Sequence, residues 1–441
     1  MNKGSFLALL PLILFVVIYF AGSYILGDFY ALPVLVVFVI ALFVAFFQFP
    51  KKNFNEKLVS FAKGSGDENI LIMILIFLLA GAFGELSKNI GAISSTINFA
   101  LTYIPPQFVI AGLFLVSCFI STSLGTSVGT IVALAPIAVG LEENIAGIMP
   151  IALASVIGGS MFGDNLSFIS DTTIAATRTQ NVAMKEKFRV NFKLVLPVAI
   201  IVMIIYGLQG FNMLNNAHDM QIGDYELIKI LPYIIVFILA LSGLSVIWTL
   251  GVGILSAAII GISTGSIDFL SILKSINDGF AGMFELSILC LIIGGVVGII
   301  RMNGGIDYLL HVVTKKINSK KRAELSIAFL VSLVNLAIAN NTITIVIVGP
   351  IAKDISDENG LNGGRVASIL DTISCFIQGL VPYGAQILAA LAAANVVLSE
   401  EGKTLLSPID IMQYLYYPVL MGLVAFLFII FRKDKKEAQL T

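Results

Sequence analysis

Apolar runs of about 20 residues recur along the whole chain, each long enough to cross a hydrocarbon core of roughly 30 Å. The pattern predicts full spans at about 5–26, 29–48, 69–87, 147–177, 191–208, 228–246, 247–265, 282–300, 362–396 and 409–431. Two further apolar stretches, 107–140 and 324–352, are too long for one helix. Each is interrupted at its centre by a polar run, STSLGTS (121–127) and ANNT (339–342). Two of the spans carry polar interruptions as well. In 147–177 it is GDNLSFISDTT (163–173), with Asp164 and Asp171 among an asparagine, serines and threonines; in 362–396 it is QGLVPYGAQ (378–386). An outer-membrane barrel would alternate apolar and polar residues in ~10-residue segments, which this chain does not do.

Composition sharpens the reading. Of 441 residues 58% are hydrophobic and 12% charged, with a mean hydropathy of +0.99, against about 25% charged in a soluble domain. The chain reads as an all-α polytopic membrane protein. The first apolar run, Ser5 to Leu26, is too long for a signal-peptide core and lacks a small-x-small cleavage site, so it reads as a span. Cys118, Cys290 and Cys375 are scattered through apolar segments and read as packing residues, not as a disulfide framework or metal site. The net charge of −1 and the lack of a basic patch interleaved with aromatics exclude nucleic acid as a partner.

Charge also decides what the two interrupted stretches are. If both are re-entrant hairpins and Met1 is cytoplasmic, 22 of the 26 Lys and Arg residues fall on the cytoplasmic side, among them Lys57 and Lys187, and the external loop 209–227 has none. Reading either stretch as a span inverts everything after it and spoils the sorting. About ten transmembrane helices, two hairpins and both termini inside are therefore expected.

The halves align with each other at one constant offset, without a gap. Gly81 meets Gly295, Gly84 meets Gly298, Asn89 meets Asn303, TIV (130–132) meets TIV (344–346) and PIA (136–138) meets PIA (350–352). With five crossings in each half the second copy enters from the opposite face, so residues 1–210 and 228–441 are expected to form two inverted-topology repeats, an arrangement of secondary transporters. Four polar breaks then converge near the midplane: two hairpin tips and two unwound spans. Non-helical backbone at that depth survives only buried in protein or lining a wet cavity.

Intramembrane carboxylates are costly and mark function by default. Asp164 and Asp171 sit in the oxygen-rich break, and at least one is expected to bind a cation or carry a proton; the alternative is helix capping by Ser170, Asp171, Thr172 and Thr173. Asp371, two turns before the second break, is expected either to face the same cavity or to make a structural hydrogen bond. Glu85 reads equally as an interfacial ion-pair partner of Lys88, and Glu285 as interfacial. His218 and His311 lie outside the apolar segments, so a carboxylate must carry any proton. The carboxylate, hydroxyl and carbonyl oxygens of the breaks suit sodium, a hard cation, and no Cys/His cluster suits a transition metal.

The stretch Gly163-Asp164-x-x-Ser167-x-x-Ser170-Asp171-Thr172-Thr173 resembles the signature of the NhaC-type sodium/proton antiporter family, within the wider ion-transporter superfamily, and the resemblance extends over essentially the whole chain. It implies that Thr122, Ser123 and Thr126 in the first tip and Asn340, Asn341 and Thr342 in the second contact cation or substrate, beside Asp164, Asn165, Ser167, Ser170, Asp171, Thr172, Thr173 and Asp371, with Asp164 and Asp171 on Na⁺. Asn165 and Phe168 depart from the lysine and proline common in that family, which opens the substrate but not the mechanism class. The implied activity is Na⁺/H⁺ antiport by alternating access, with Na⁺-coupled transport of an amino acid or other small organic solute as the alternative. The implied setting is the cell (plasma or inner) membrane, with Na⁺ as coupling ion, no cofactor and the lipid bilayer as partner; a homodimer stays open. An intramembrane aspartyl protease using Asp164 and Asp371 is disfavoured, because Met161 replaces the first glycine of Gly-x-Gly-Asp and Leu370 the tyrosine before the second aspartate. No repeated filter loops suggest a channel, and no phosphate loop suggests ATP.

Overall fold

The computed structural model describes residues 4–26, 32–167, 170–214, 223–242, 244–313, 319–400 and 402–431. Among these the secondary structure is helical, with no strand. The first part of the chain forms α1 (Leu10–Leu26), α2 (Val34–Phe47), α3 (Phe54–Ser65), α4 (Glu68–Asn89), α5 (Ala92–Tyr103), α6 (Val109–Leu124), α7 (Ser127–Gly140), α8 (Met149–Leu166), α9 (Asp171–Gln180) and α10 (Met184–Leu214). The second part forms α11 (Leu227–Leu241), α12 (Val246–Ser263), α13 (Phe269–Gly282), α14 (Phe284–Met302), α15 (Gly305–Val313), α16 (Lys320–Ile338), α17 (Asn341–Glu358), α18 (Gly363–Leu380), α19 (Ala385–Glu400), α20 (Pro408–Met412) and α21 (Tyr416–Ile430).

Several boundaries recur at the offset that carries Gly81 onto Gly295. α8 and α18 match in this way at both start and end, as do the ends of α6 and α16 and the starts of α7 and α17 and of α9 and α19. A proline lies inside each of α7 and α17, Pro136 and Pro350.

By length and composition five helical segments can cross a membrane: Ile70–Asn89, Met184–Met213, Val246–Ser263, Phe269–Met302 and Gly363–Glu400. Ala92–Tyr103 with Pro106–Thr122, bent by 113°, makes a sixth if counted as one. Phe6–Tyr19, Val34–Phe47, Leu227–Leu239 and Tyr416–Ile430 are shorter apolar helices. The sequence pattern passed over α3, α5, α13 and α15, which are short and, in the case of α3, amphipathic rather than apolar throughout.

Two basic residues counted with the cytoplasmic loops are not in loops. Lys57 is 3% exposed on α3 and donates to the carbonyl oxygens of Phe46 and Gln48, satisfying the end of α2. Lys187 is 1% exposed on α10, which begins well before the predicted span at 191. Both long side chains reach inward to oxygen partners, which a count of charges along the chain does not reveal.

The two parts of the chain exchange packing partners. α3 lies on α14 and α13 on α4; α9 lies on α17 and α19 on α7. Glycines allow the first exchange. A Cβ at Gly64 would sit 2.3 Å from the Gly294 oxygen, and one at Gly279 would sit 2.4 Å from the Gly81 oxygen. Backbones this close leave no room for a methyl group. Gly279→Ala is therefore expected to destabilise the protein by about 1–3 kcal/mol, measured as a lower thermal unfolding midpoint in detergent. Gly207→Ala, where nothing lies within 4 Å of the added carbon, is expected to leave the midpoint unchanged or slightly raised.

Candidate functional site

Four helices begin around one small cavity. α6 ends at Leu124; Gly125 turns the chain with φ +71°, and Thr126 caps α7 by accepting from the Gly129 amide at 3.4 Å. α16 ends at Ile338; Ala339 makes the same turn with φ +53°, and Asn340 caps α17 by accepting from the Ile343 amide at 2.9 Å. A positive φ is uncommon for a residue with a Cβ, so the second tip holds its turn with less freedom than the first. α8 ends at Leu166 and α9 starts at Asp171, while α18 ends at Leu380 and α19 starts at Ala385.

The cavity, about 120 Å³, is lined by Gly125, Thr126 and Ser127; Asp164, Ser170, Asp171 and Thr172; Ala339, Asn340, Asn341 and Thr342; and Gln378, Ala385 and Gln386, with Ile72 and Ile76 of α4 on an apolar side. The starts of α7, α9, α17 and α19 thus border one space, and helix starts carry partial positive charge. Asp164 is 4% exposed, whereas Asp171 is exposed. The Thr173 hydroxyl donates to the Asp164 carbonyl at 3.3 Å, and the Ser170 and Thr172 hydroxyls share a 2.8 Å hydrogen bond. Gln386 donates to the Ser127 hydroxyl at 3.1 Å; Gln378 donates to the Ala339 carbonyl at 2.9 Å and to the Gln386 side-chain oxygen at 3.0 Å.

Each turn is tied to the span beside it in the same way. The Ser121 hydroxyl on α6 donates to the Ser160 carbonyl at 2.6 Å, and the Asn335 amide on α16 donates to the Ser374 carbonyl at 2.6 Å. Close approach of α6 to α8 requires Gly163, whose added Cβ would lie 2.2 Å from the Ser121 side chain.

Eight of the predicted site residues line the cavity: Asp164, Ser170, Asp171, Thr172, Thr126, Asn340, Asn341 and Thr342. The others do not. Thr122 donates to the Cys118 carbonyl of its own helix at 2.7 Å. Ser123 lies on α6, with its side chain outside the described ones. Buried Ser167 follows the last turn of α8, and its amide donates to the Gly163 carbonyl at 2.7 Å.

Asn165, Thr173 and Asp371 belong to a second buried cluster. The Lys187 ammonium lies 2.8 Å from Asp371 Oδ2, both side chains at most 1% exposed, and donates to Thr173 Oγ1 at 2.6 Å and to the Asn165 carbonyl at 2.9 Å. Asn191 donates to Asp371 Oδ2 at 2.7 Å and to the Asn165 carbonyl at 2.8 Å. Asn165 donates to Asp371 Oδ2 at 3.1 Å and accepts from the Tyr417 hydroxyl at 2.8 Å. Asp371 thus pairs with Lys187 through Oδ2, while its buried Oδ1 has no hydrogen-bond partner among the described residues. Glu85 accepts from Asn89 at 3.2 Å, away from the cavity, while Lys88 pairs with Glu400 at 2.5 Å. Glu285 is exposed.

The sequence reading missed Ser127, Gln378 and Gln386 in the cavity and Lys187, Asn191 and Tyr417 beside it. Gln378 meets Asp164 at the repeat offset, so the internal alignment carried the signal. Lys187 was hidden in a basic run. Among the described residues no group of three or more His, Cys, Asp or Glu side chains is placed to hold a metal ion, so a cation here has to take hydroxyl, amide and carbonyl oxygens beside a carboxylate.

Comparison with known proteins bears on this geometry. The model of the Na⁺/H⁺ antiporter family matches residues 5–211 and 222–433. The Na⁺/H⁺ antiporter NhaC of Bacillus subtilis is 25% identical over 368 residues, 77% of this chain and 80% of that protein. The arginine/ornithine antiporter ArcD of Halobacterium salinarum is 24% identical over 345 residues, 71% of this chain and 70% of that one. The malate-2H⁺/Na⁺-lactate antiporter of Bacillus subtilis is 21% identical over 386 residues, 80% of this chain and 81% of that one.

The tie on the second tip is open to test. Asn335→Leu strands the Ser374 carbonyl and the Thr344 hydroxyl, which donates to Asn335 at 3.2 Å. Leaving such buried groups unpaired costs about 1–3 kcal/mol, so the variant is expected to show a lower unfolding midpoint in detergent; Asn335→Asp, which keeps the acceptor for Thr344 but sets a carboxylate oxygen against the Ser374 carbonyl, is expected to be destabilised as well.

Proposed function

We propose that this chain, which belongs to the Na⁺/H⁺ antiporter family, is an integral multi-pass membrane protein that exchanges Na⁺ for H⁺ by alternating access, with Asp164 as the group on which the two ions compete. The observation that carries the reading is Asp164 itself. It is a carboxylate 4% exposed on the wall of a small cavity whose other polar walls are hydroxyls, amides, helix starts and the Asp171 carboxylate. A carboxylate in such a place binds a cation or a proton in turn, because each neutralises the same charge. Asp171, exposed at the start of α9, is the second acidic wall and the point of entry for the cation.

The transport cycle needs access from two sides. Ten crossings and two re-entrant hairpins in two inverted repeats account for the helix boundaries that recur at one offset and for the charge sorting of the sequence. A cavity of about 390 Å³ shares Ala339, Asn340 and Ala385 with the site and has Lys63 and Arg301 among its walls. A second, of about 230 Å³, includes Glu85, Glu142, Glu143, Asp278 and Glu400 and approaches α19 only at Ala389 and beyond, a turn past Ala385. In this reading the site is open toward the basic, cytoplasmic face and shut from the other. Exchange follows when the packing of α4, α13 and α14 against the hairpins changes and the second cavity reaches the site instead.

A second reading is Na⁺-coupled transport of a small organic acid or amino acid. It is favoured by the four helix starts, since partial positive charges recognise a carboxylate and have no use on Na⁺.

Reconstituted vesicles with an internal pH dye separate the two. Wild type is expected to acidify or alkalinise the lumen on a Na⁺ jump without any solute, with a half-saturating Na⁺ concentration that rises as pH falls, because protons occupy Asp164. Asp164→Asn is expected to abolish the response, and Asp171→Asn to raise half-saturation with smaller loss of maximal rate. Wild-type exchange by Asp164→Asn rules out the site. A Na⁺ response that appears only with an added amino or organic acid selects the second reading.

A further inference from the structure

Lys187 plays no part in the cavity, yet it is the most deeply buried cation described. Its ammonium has three hydrogens and no acceptor, and three oxygens take them: the Asn165 carbonyl at 2.9 Å, Thr173 Oγ1 at 2.6 Å and Asp371 Oδ2 at 2.8 Å. A carbonyl, a hydroxyl and a carboxylate are the oxygen set a hard monovalent cation takes from a protein. The three come from three helices. Asn165 is in the last turn of α8, Thr173 in the first turn of α9 and Asp371 on α18, while the lysine arrives from α10.

The position of this ammonium is particular. It spans the interruption between α8 and α9, one partner on each side. Asn165 is the neighbour of Asp164, and Thr173 is two residues after Asp171. A positive charge at the end of α8 also answers the free carbonyls there. Asn191 repeats two of the three contacts from the same face of α10, one turn along. The other interruption is built differently. At the repeat offset, Gly379 stands for Asn165, Ile387 for Thr173 and Ile157 for Asp371, and there the amides of Gln378 and Gln386 make the ties.

We infer that Lys187 is a positioning residue for transport: a tethered ammonium ion that occupies a monovalent-cation site between α8, α9 and α18 and thereby fixes Asp164 and Asp171 across the break. The inference rests on the reading of those two carboxylates as the transport site, and its first test does not need transport.

If the ammonium acts as a bound ion, a free one can replace it. Lys187→Ala leaves a cavity with the same three oxygens. Purified Lys187→Ala is expected to unfold at a lower temperature than wild type, and millimolar ammonium or methylammonium is expected to raise its midpoint while leaving wild type unmoved; choline, too large for the gap, serves as the salt control. Transport is read as exchange of radioactive sodium across vesicles at zero pH gradient, because ammonium dissipates pH gradients. Lys187→Ala is expected to lose at least tenfold in exchange and to recover part of it with ammonium but not choline. Wild-type exchange by Lys187→Ala overturns the inference, and so does a folded, inactive Lys187→Ala that answers ammonium in neither measurement. If Lys187→Ala does not fold even with ammonium, the charge-free pair Lys187→Met with Asp371→Asn decides: reduced exchange from a folded protein supports the positioning role, and wild-type exchange overturns it. Failure of wild type to exchange sodium would sink the transport reading alone, since the ammonium effect on unfolding would still stand.

Discussion

The demand of the bilayer that every backbone amide and carbonyl find a partner governs this molecule. An unpaired group in hydrocarbon costs several kcal/mol, so a helix does not stop at membrane depth without something to meet its ends. Here four do. α6 and α16 stop at Gly125 and Ala339, whose left-handed turns return the amide to a carbonyl four residues back, Ser121 and Asn335. α7 and α17 start on the side chains of Thr126 and Asn340. α8 stops against the Lys187 ammonium and the Asn191 amide. The Gln378 side chain, in the last turn of α18, reaches across to the carbonyl of the opposite turn at Ala339. The polar residues of the centre are thus the conditions under which the helices can be broken at all, and the site is built from what those conditions leave facing the cavity.

This explains which parts were legible in the sequence. The interruptions were readable because polar runs inside long apolar ones have no bland explanation in a membrane. Thr126, Ser170, Asp171, Thr172, Asn340, Asn341 and Thr342 line the cavity because they sit at helix starts, and residues that cap helices are recognisable one at a time. The constant offset between the halves was readable for the same reason: glycine and proline at fixed spacing answer to backbone geometry. Residues whose role depends on a distant partner were not. Thr122, one turn before the break, bonds its own helix. Asp371 was left between the cavity and a structural bond, because its distance from a break along the helix does not reveal Lys187, its partner in the other half of the chain. The inward contacts of Lys187 and Lys57 were not legible because a lysine reads the same whether its stem runs outward to water or inward to oxygen.

The correspondence between the two parts of the chain ends where charge begins. Asp164 meets Gln378 and Asp171 meets Ala385 at the same offset, and the cluster around Lys187 has no counterpart. One break is therefore held and lined by charges, the other by neutral amides. A buried ion pair is rarely a source of stability, since desolvation offsets its Coulomb energy, so Lys187 and Asp371 are better understood through where they lie than through what they add to folding. They fix the one break that carries carboxylates. The neutral break is free to move without separating charges in a low-dielectric interior.

The exchanged packing converts this asymmetry into coupling. α9, which begins at Asp171, lies on α17, whose start lines the same cavity from the opposite turn; α19 lies on α7 in the same manner. Each break is thus packed against the helix that starts at the facing turn. In the proposed exchange a cation on Asp164 neutralises the buried carboxylate, and closure of the turns at Thr126 and Asn340 over it then strands no charge. With the carboxylate bare, closure would strand an uncompensated charge. A gate of this kind passes loaded forms in preference to the empty one, and that preference is what separates exchange from leak.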